Sequence, residues 1–147
     1  MLLAPSPAAL APLVGTTDFD TELARFLDTL TAVQLNDIEI ACLQRQSAYY
    51  SAKLVTALRH RTREVVAARE TDSRWPAVGV VFGTCEWENG CFWETTGQVR
   101  HLDGTRSTVD LDFDEVSGLL ADLSGTERPC SGDRLRVDLR TGEVTTS

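Results

Sequence analysis

The sequence contains no apolar run long enough to cross a membrane. A transmembrane helix needs about 18 or more consecutive apolar residues, and no such stretch occurs among the 147 residues. The apolar opening segment lacks the basic start of a secretory signal and is interrupted by three prolines. We therefore expect a flexible N-terminal arm over residues 1–17 and no contact with a membrane.

Glycine, proline and cysteine are sparse as well. Ten glycines and five prolines are too few for a collagen-like or a disordered chain. No C-x-x-C pair occurs among the four cysteines, so the sequence favours neither a disulfide scaffold nor a zinc ribbon. The expected compartment is the cytoplasm.

Positive charge is in deficit. Lysine and arginine number 14 against 22 aspartates and glutamates, so the formal net charge is −8. General nucleic-acid binders concentrate cations to neutralise phosphates, and this composition argues against that class. Glycine-rich phosphate loops, the G-x-S-x-G motif and the H-E-x-x-H motif are also absent from the sequence. We therefore expect no catalytic residue, no metal and no cofactor, and an enzyme is the less favoured hypothesis.

Two helices are predicted in the N-terminal half. Early aspartates followed by apolar residues at helical spacing predict a helix over about 19–33. Asn36 and Glu39 have the spacing of a capping box, and an apolar stripe without glycine or proline follows them. We predict a second helix over 36–69, about 50 Å long at a rise of about 1.5 Å per residue. The alternative is a break near residues 47–51.

Strands are predicted after Pro76. The Asn89-Gly90 pair is a signal for a two-residue hairpin loop that sets Trp87 opposite Phe92. For the next hairpin we favour a three-residue loop that sets Val99 opposite Val109. These registers group five apolar residues on the core face of the sheet: Trp93, Val99, Val109, Leu111 and Phe113.

A short helix and a last hairpin complete the predicted fold. The helix is capped by Asp112 or Asp114 and stopped by Gly125, and the hairpin turns at Thr141-Gly142. The order α-α-β-β-β-α-β-β predicts an α+β fold in which a helical pair, with one long helix, packs on an antiparallel sheet of about five strands. We expect a single domain over 18–147, with a helical half at 18–70 and a sheet half at 77–147.

The first hairpin carries the candidate binding site. Its aromatic side chains lie on the face away from the predicted core, and acidic residues flank them. A histidine on the same strand supplies a polar group for a pocket. Core packing is the simpler interpretation of the aromatic residues. The candidate binding residues are Trp87, Phe92, Glu86, Glu88, Glu94 and His101.

Charge is segregated between the two predicted N-terminal helices. Residues 18–39 are acidic and residues 45–69 are basic, which indicates structural pairing with the helix dipole and neighbouring acids rather than an RNA contact. The second predicted helix is longer than a five-stranded sheet can cover. We therefore predict a homodimer through residues 36–70, in which each acidic segment lies near the basic segment of the other subunit.

Two function hypotheses follow. The first is a small, acidic, non-catalytic interaction protein of the inhibitor, immunity or adaptor type that binds a basic partner surface. The second is a small-molecule-binding protein or small enzyme with a pocket between the aromatic hairpin and the helices.

Overall fold

The structure, a computed structural model, describes residues 14–147, so the predicted arm lies outside the described residues except for 14–17. The order of the elements is α-α-β-β-β-α-β-β, which confirms the predicted α+β fold. The helices are α1 (Thr17–Leu27), α2 (Ala32–Ala67) and α3 (Asp114–Glu127). The strands are β1 (Ala77–Trp87), β2 (Gly90–His101), β3 (Arg106–Asp110), β4 (Leu135–Asp138) and β5 (Val144–Thr146).

The described chain divides within α2 into two compact units, one ending at Cys42 and the other beginning at Leu43. In the first unit, α1 ends at Leu27, earlier than the predicted end at residue 33. The side-chain hydroxyl of Thr29 donates a hydrogen bond to the carbonyl oxygen of Phe26 at 2.6 Å. This contact satisfies one of the carbonyl groups that a helix leaves unpaired at its C-terminus.

The start of α2 differs from the prediction because another pair of residues forms the capping box. The Gln34 side chain accepts the Thr31 backbone N–H at 3.0 Å, and the Thr31 hydroxyl accepts the Gln34 N–H at 3.2 Å. The predicted pair, Asn36 and Glu39, lies inside the helix. The helix then continues through residues 47–51 to Ala67, so the predicted alternative of a break is wrong.

In the second unit, α2 and α3 contribute to one core with the sheet. The strand order is β3-β2-β1-β4-β5, and each neighbouring pair is antiparallel. Alternate residues of each strand face this core, as expected for a half-buried antiparallel sheet. The largest fully buried apolar side chains in it are Phe82, Leu54, Leu58, Leu111, Leu120, Leu123 and Leu135.

The first hairpin has a different register from the prediction. Trp87 is opposite Gly90 and Phe92 is opposite Cys85, so the loop is Glu88-Asn89. A turn centred on Asn89-Gly90 needs positive φ at both residues. Gly90 has a φ of 135°, whereas Asn89 is not among the residues with positive φ. The two-residue loop therefore lies one residue earlier than predicted, and the partner of each residue on β1 changes by two positions.

The second hairpin has the predicted loop length but begins one residue earlier. His101 and Thr105 are joined by a backbone hydrogen bond of 2.8 Å, which leaves 102–104 as the loop. Val99 is then opposite Ser107 and Gly97 is opposite Val109. The predicted grouping is nevertheless correct, because a shift of two residues keeps each side chain on its face. Four of the five residues are buried and Phe113 packs against them.

The last helix extends beyond its predicted stop. Gly125 lies inside α3, and Arg128 is the C-cap residue, in the left-handed region with a φ of 49°. The predicted final hairpin is present and pairs Val137 with Val144, with a turn over residues 139–142 that begins before the predicted Thr141-Gly142. Within residues 14–147, no helix is long and apolar enough to cross a membrane.

Candidate functional site

The end of the first hairpin extends beyond the rest of the sheet. β4 pairs with β1 only over residues 79–82, and β3 pairs with β2 only over 96–100. Residues 84–93 pair with each other alone, and we call this two-stranded segment the ribbon. An irregularity between Phe82 and Thr84 separates the ribbon from the sheet. Such bulges bend a strand and commonly occur next to functional sites.

The base of the ribbon is held by hydrogen bonds to other elements. The Trp93 backbone N–H donates to the hydroxyl of Ser124, on α3, at 3.0 Å. On the adjacent strand, the Thr84 hydroxyl accepts the Gly132 N–H at 3.0 Å. Both contacts lie at the end of the ribbon that joins the sheet, and the residues of the turn at its other end are exposed.

An exposed tryptophan dominates one face of the ribbon. Trp87 is 65% exposed, and its indole N–H donates to the Cys85 sulfur at 3.1 Å. The Cys85 thiol in turn contacts the carbonyl oxygen of Phe92 at 3.6 Å. Phe92 is half-buried opposite Cys85. The three side chains share a face, and the sulfur contact fixes the orientation of the indole ring.

Carboxylates lie at both ends of the ribbon, on more than one of its faces. Glu86 and Glu88 are exposed at the end of the ribbon, and Glu94 is exposed beside Gly83 at its base. Cys91 is opposite Glu86, on the face away from Trp87. Burial, together with the negative charge of Glu86, raises the pKa of the Cys91 thiol. Cys85 and Cys91 therefore lie on opposite faces of the ribbon.

His101 lies in the core, apart from the other candidate residues. It is 1% exposed, and its Nδ1 is 2.8 Å from the Trp75 carbonyl oxygen. A carbonyl only accepts, so Nδ1 carries the proton and Nε2 accepts from the Ser107 hydroxyl at 2.9 Å. The Ser107 oxygen also accepts the Asp72 N–H at 2.9 Å. Both ring nitrogens thus hold the loop after α2 against the sheet.

A neighbouring carboxylate stabilises the same region. Asp103 accepts hydrogen bonds from the Thr105 N–H at 3.0 Å and from the Ser73 hydroxyl at 3.1 Å. Partial burial acts to raise the pKa of Asp103, but the hydrogen bonds from Thr105 and Ser73 outweigh it and lower the pKa. Asp103 and His101 are thus both engaged in fixing loops.

A mostly apolar cleft of about 410 Å³ lies at the other end of β1 from the ribbon. The sequence predicts a pocket between the aromatic hairpin and the helices. This cleft lies instead between the last turns of α2, the start of β1 and the residue that follows β4. One of its arginines has a structural role, because Arg59 Nε donates to the Leu139 carbonyl at 2.7 Å. The lining residues are Arg59, Thr62, Arg63, Val66, Ala67, Arg74, Pro76, Ala77 and Leu139.

The sheet face opposite the core carries a second cavity, of about 240 Å³. Its lining is Val81, Gln98, Arg100, Arg106, Arg134 and Arg136. The sequence alone does not indicate this site, because its four arginines are separated along the chain and meet only in the folded sheet. The available signal is the period-two spacing of Arg134 with Arg136 and of Gln98 with Arg100, which predicts one face for each pair in an extended chain.

The described part of the chain has no candidate metal site. Across residues 14–147, no group of three or more histidine, cysteine, aspartate or glutamate side chains is arranged to hold a metal ion. Comparison with known proteins finds no match, since no family model fits the chain and no curated protein or solved structure shows significant similarity to it. The site must therefore be interpreted from its own chemistry.

Proposed function

We propose that this protein is a small, non-catalytic interaction protein of the inhibitor, immunity or adaptor type, and that its ribbon binds a basic surface of a partner protein. The observation that carries the proposal is the 65% exposure of Trp87 at the end of the ribbon. The apolar surface of a large aromatic side chain in this position is removed from water only when a partner covers it. Tryptophan is also among the residues that contribute most to binding at protein interfaces.

The charges around Trp87 support a basic partner. Glu86 and Glu88 adjoin the indole ring along the chain and are exposed. Carboxylates at the rim of an aromatic contact increase the rate of association with a cationic surface and exclude anionic ones. The net charge of −8 acts in the same direction over longer distances. In this proposal the protein acts in the cytoplasm and does not bind nucleic acid.

The test is quantitative affinity purification from the source organism with the immobilised full chain. We expect Trp87→Ala to weaken capture of the specific partner by about 2 kcal/mol or more, roughly 30-fold. Glu88→Lys should weaken capture too, and the effect should diminish as salt screens the charges.

Two matched variants control this experiment. Trp75 is also an exposed tryptophan, at 56%, but lies outside the ribbon, and Asp122 is an exposed acid on α3. Trp75→Ala and Asp122→Lys should leave capture unchanged. Equal loss in the ribbon variants and the controls would reject the ribbon as the binding surface.

A second candidate function rests on the cleft at the end of α2. Its volume of about 410 Å³ is within the range of small-molecule sites, and its walls are mainly apolar. Arg63 and Arg74 are exposed at its margin and suit a ligand with an anionic group. The fluorescent anion anilinonaphthalene sulfonate is a suitable probe. Val66→Trp should fill the cleft and abolish the fluorescence gain, whereas Trp87→Ala should preserve it.

A further inference from the structure

Four arginines converge on the sheet face opposite the core. Arg100 on β2 is directly opposite Arg106 on β3, and Arg136 lies on β4 two residues after Arg134, which directly precedes that strand. Val81 on β1 connects the two groups, since it is opposite Gln98 on one side and Arg136 on the other. All four guanidinium-bearing side chains line one cavity of about 240 Å³ that contains no acidic side chain in its lining.

None of the four arginines forms a salt bridge with a carboxylate in the described chain, residues 14–147. Arg136 Nε donates a hydrogen bond only to the Ser147 hydroxyl, at 3.4 Å, among the described residues. Two acids, Asp138 and Glu143, line the adjoining cavity that Arg100 and Arg136 share. Asp138 accepts the backbone N–H groups of Arg140 at 2.8 Å and Thr141 at 3.0 Å. Those hydrogen bonds from Thr141 and Arg140 lower the pKa of Asp138, and the positive charges of Arg140 and Arg100 lower it further.

The positive charge of this arrangement is only partly balanced within the protein, by Asp138 beside Arg100. Like charges directly opposite each other on neighbouring strands, as in Arg100 and Arg106, destabilise a sheet. The chain has an excess of acids, with 22 against 14 cations, yet four cations share this cavity. An anion bound between the four side chains would remove the repulsion. The same four side chains would then supply its hydrogen-bond donors.

The geometry points to a compact phosphate anion as the occupant. Guanidinium groups match phosphate oxygens with paired N–H donors, and Gln98 adds an amide donor at the centre of the cavity. The volume is below the usual range of about 300–1,000 Å³ for drug-sized ligands, which favours a small anion. We propose that this cavity binds a compact phosphate or diphosphate group carrying at least two negative charges. This site is independent of the ribbon.

Inorganic pyrophosphate is the probe for the test. Calorimetric titration of the full chain at low ionic strength should give saturable binding of one pyrophosphate per chain, stronger than binding of sulfate at the same ionic strength. The double variant Arg134→Gln/Arg136→Gln removes two charged donors from the cavity lining. We expect it to weaken binding about tenfold or more, since hydrogen bonds to charged groups are among the stronger ones.

The matched control is Arg128→Gln/Arg140→Gln, which removes the same charge from two exposed arginines outside the cavity lining. Its affinity should stay within about twofold, because neither side chain lines the cavity and neither can donate a hydrogen bond to an anion bound there. Equal weakening in both double variants would overturn the proposal, since binding would then depend on overall charge. Unchanged affinity in the Arg134→Gln/Arg136→Gln variant would overturn it as well.

Two further measurements complete the test. Pyrophosphate should raise the unfolding temperature of the parent protein by mass action but not that of the cavity variant. Without pyrophosphate, Arg106→Gln should unfold at the same or a higher temperature than the parent, because it removes a repulsive pair. A lower unfolding temperature would mean a structural role and count against the proposal. Tighter binding of a short single-stranded RNA, with the same arginine dependence, would reject a compact anion as the occupant.

Discussion

Among the glycines of the described chain, Gly97 is the one at which an added methyl group would be most crowded. A methyl group at this position would lie 2.9 Å from Val80 Cγ1, 3.0 Å from Phe82 Cε1 and 3.2 Å from Leu111 Cδ1. Val80 and Phe82 are on the central strand, and all three neighbours are buried. The absence of a side chain at Gly97 therefore allows the large side chain of Phe82, directly opposite, to occupy the core.

We predict that Gly97→Ala lowers the free energy of unfolding by about 1–3 kcal/mol, the usual range for overpacking a core. Urea denaturation followed by tryptophan fluorescence measures it. The matched control is Gly118→Ala, in the interior of α3, where a methyl group meets nothing within 4 Å. It should raise the free energy of unfolding by about 0.5–1 kcal/mol. A neutral Gly97→Ala variant would contradict this account of the core.

The candidate site was predicted in part at the level of single residues. Alternation and the hairpin signal were enough to group Trp87 and Phe92 on the face away from the core, although not directly opposite each other. His101 was not correctly interpreted, because its partners are Ser107 and the carbonyl of Trp75. Trp75 lies 26 positions earlier in the chain. Such a contact depends on tertiary structure that composition and spacing do not encode.

At the scale of elements, faces were more predictable than registers. Periodicity assigns a residue to one face of the sheet, and this assignment does not change when the strand register shifts by an even number of residues. Register depends instead on the φ angles of a few turn residues, such as Gly90 at 135° and Gly104 at 87°. The start of α2 shows a related ambiguity. Two capping boxes fit its sequence, and the earlier one, at Thr31 and Gln34, forms the hydrogen bonds.

Ser124 joins α3 to the ribbon, and its removal gives a prediction at this scale. It is 4% exposed; its hydroxyl accepts the Trp93 N–H at 3.0 Å and donates to the Leu120 carbonyl at 2.8 Å. Ser124→Ala deprives a buried backbone donor of this acceptor, so we expect a loss of about 1–3 kcal/mol in the free energy of unfolding.

Ser117→Ala is the control for Ser124→Ala. Ser117 lies on the same helix, and its hydroxyl donates to the exposed carboxylate of Asp112 at 2.5 Å. Water can replace that acceptor, and the change should stay within about 0.5 kcal/mol. Hydrogen exchange provides a second measurement, since the Trp93 amide should exchange faster in Ser124→Ala alone. Equal protection of that amide in both variants would show that Ser124 does not hold the ribbon.

At the scale of the whole molecule, the apolar stripe of α2 is only partly buried. Its later members, Leu54, Leu58 and Val65, are buried in the core of the unit that begins at Leu43. Its first member is different, because Ile40 is 46% exposed. The predicted dimer surface over 36–70 therefore has its available apolar area near the N-terminal end of the helix.

We predict that the protein is a homodimer and that this N-terminal part of α2 forms the contact. Sedimentation equilibrium at micromolar concentration should give twice the chain mass of 16.1 kDa. Ile40→Asp adds a charge to the exposed stripe and should give the mass of one chain, with little change in unfolding temperature.

Leu54→Asp is unsuitable as a test because Leu54 is fully buried, and its charge would unfold a monomer as readily as a dimer. The charge control is Gln46→Asp, at an exposed position about 120° around the helix from Ile40, where the dimer should persist. A parent mass of 16.1 kDa would reject the dimer. Dissociation by both aspartate variants would indicate charge repulsion between subunits rather than an apolar contact at Ile40.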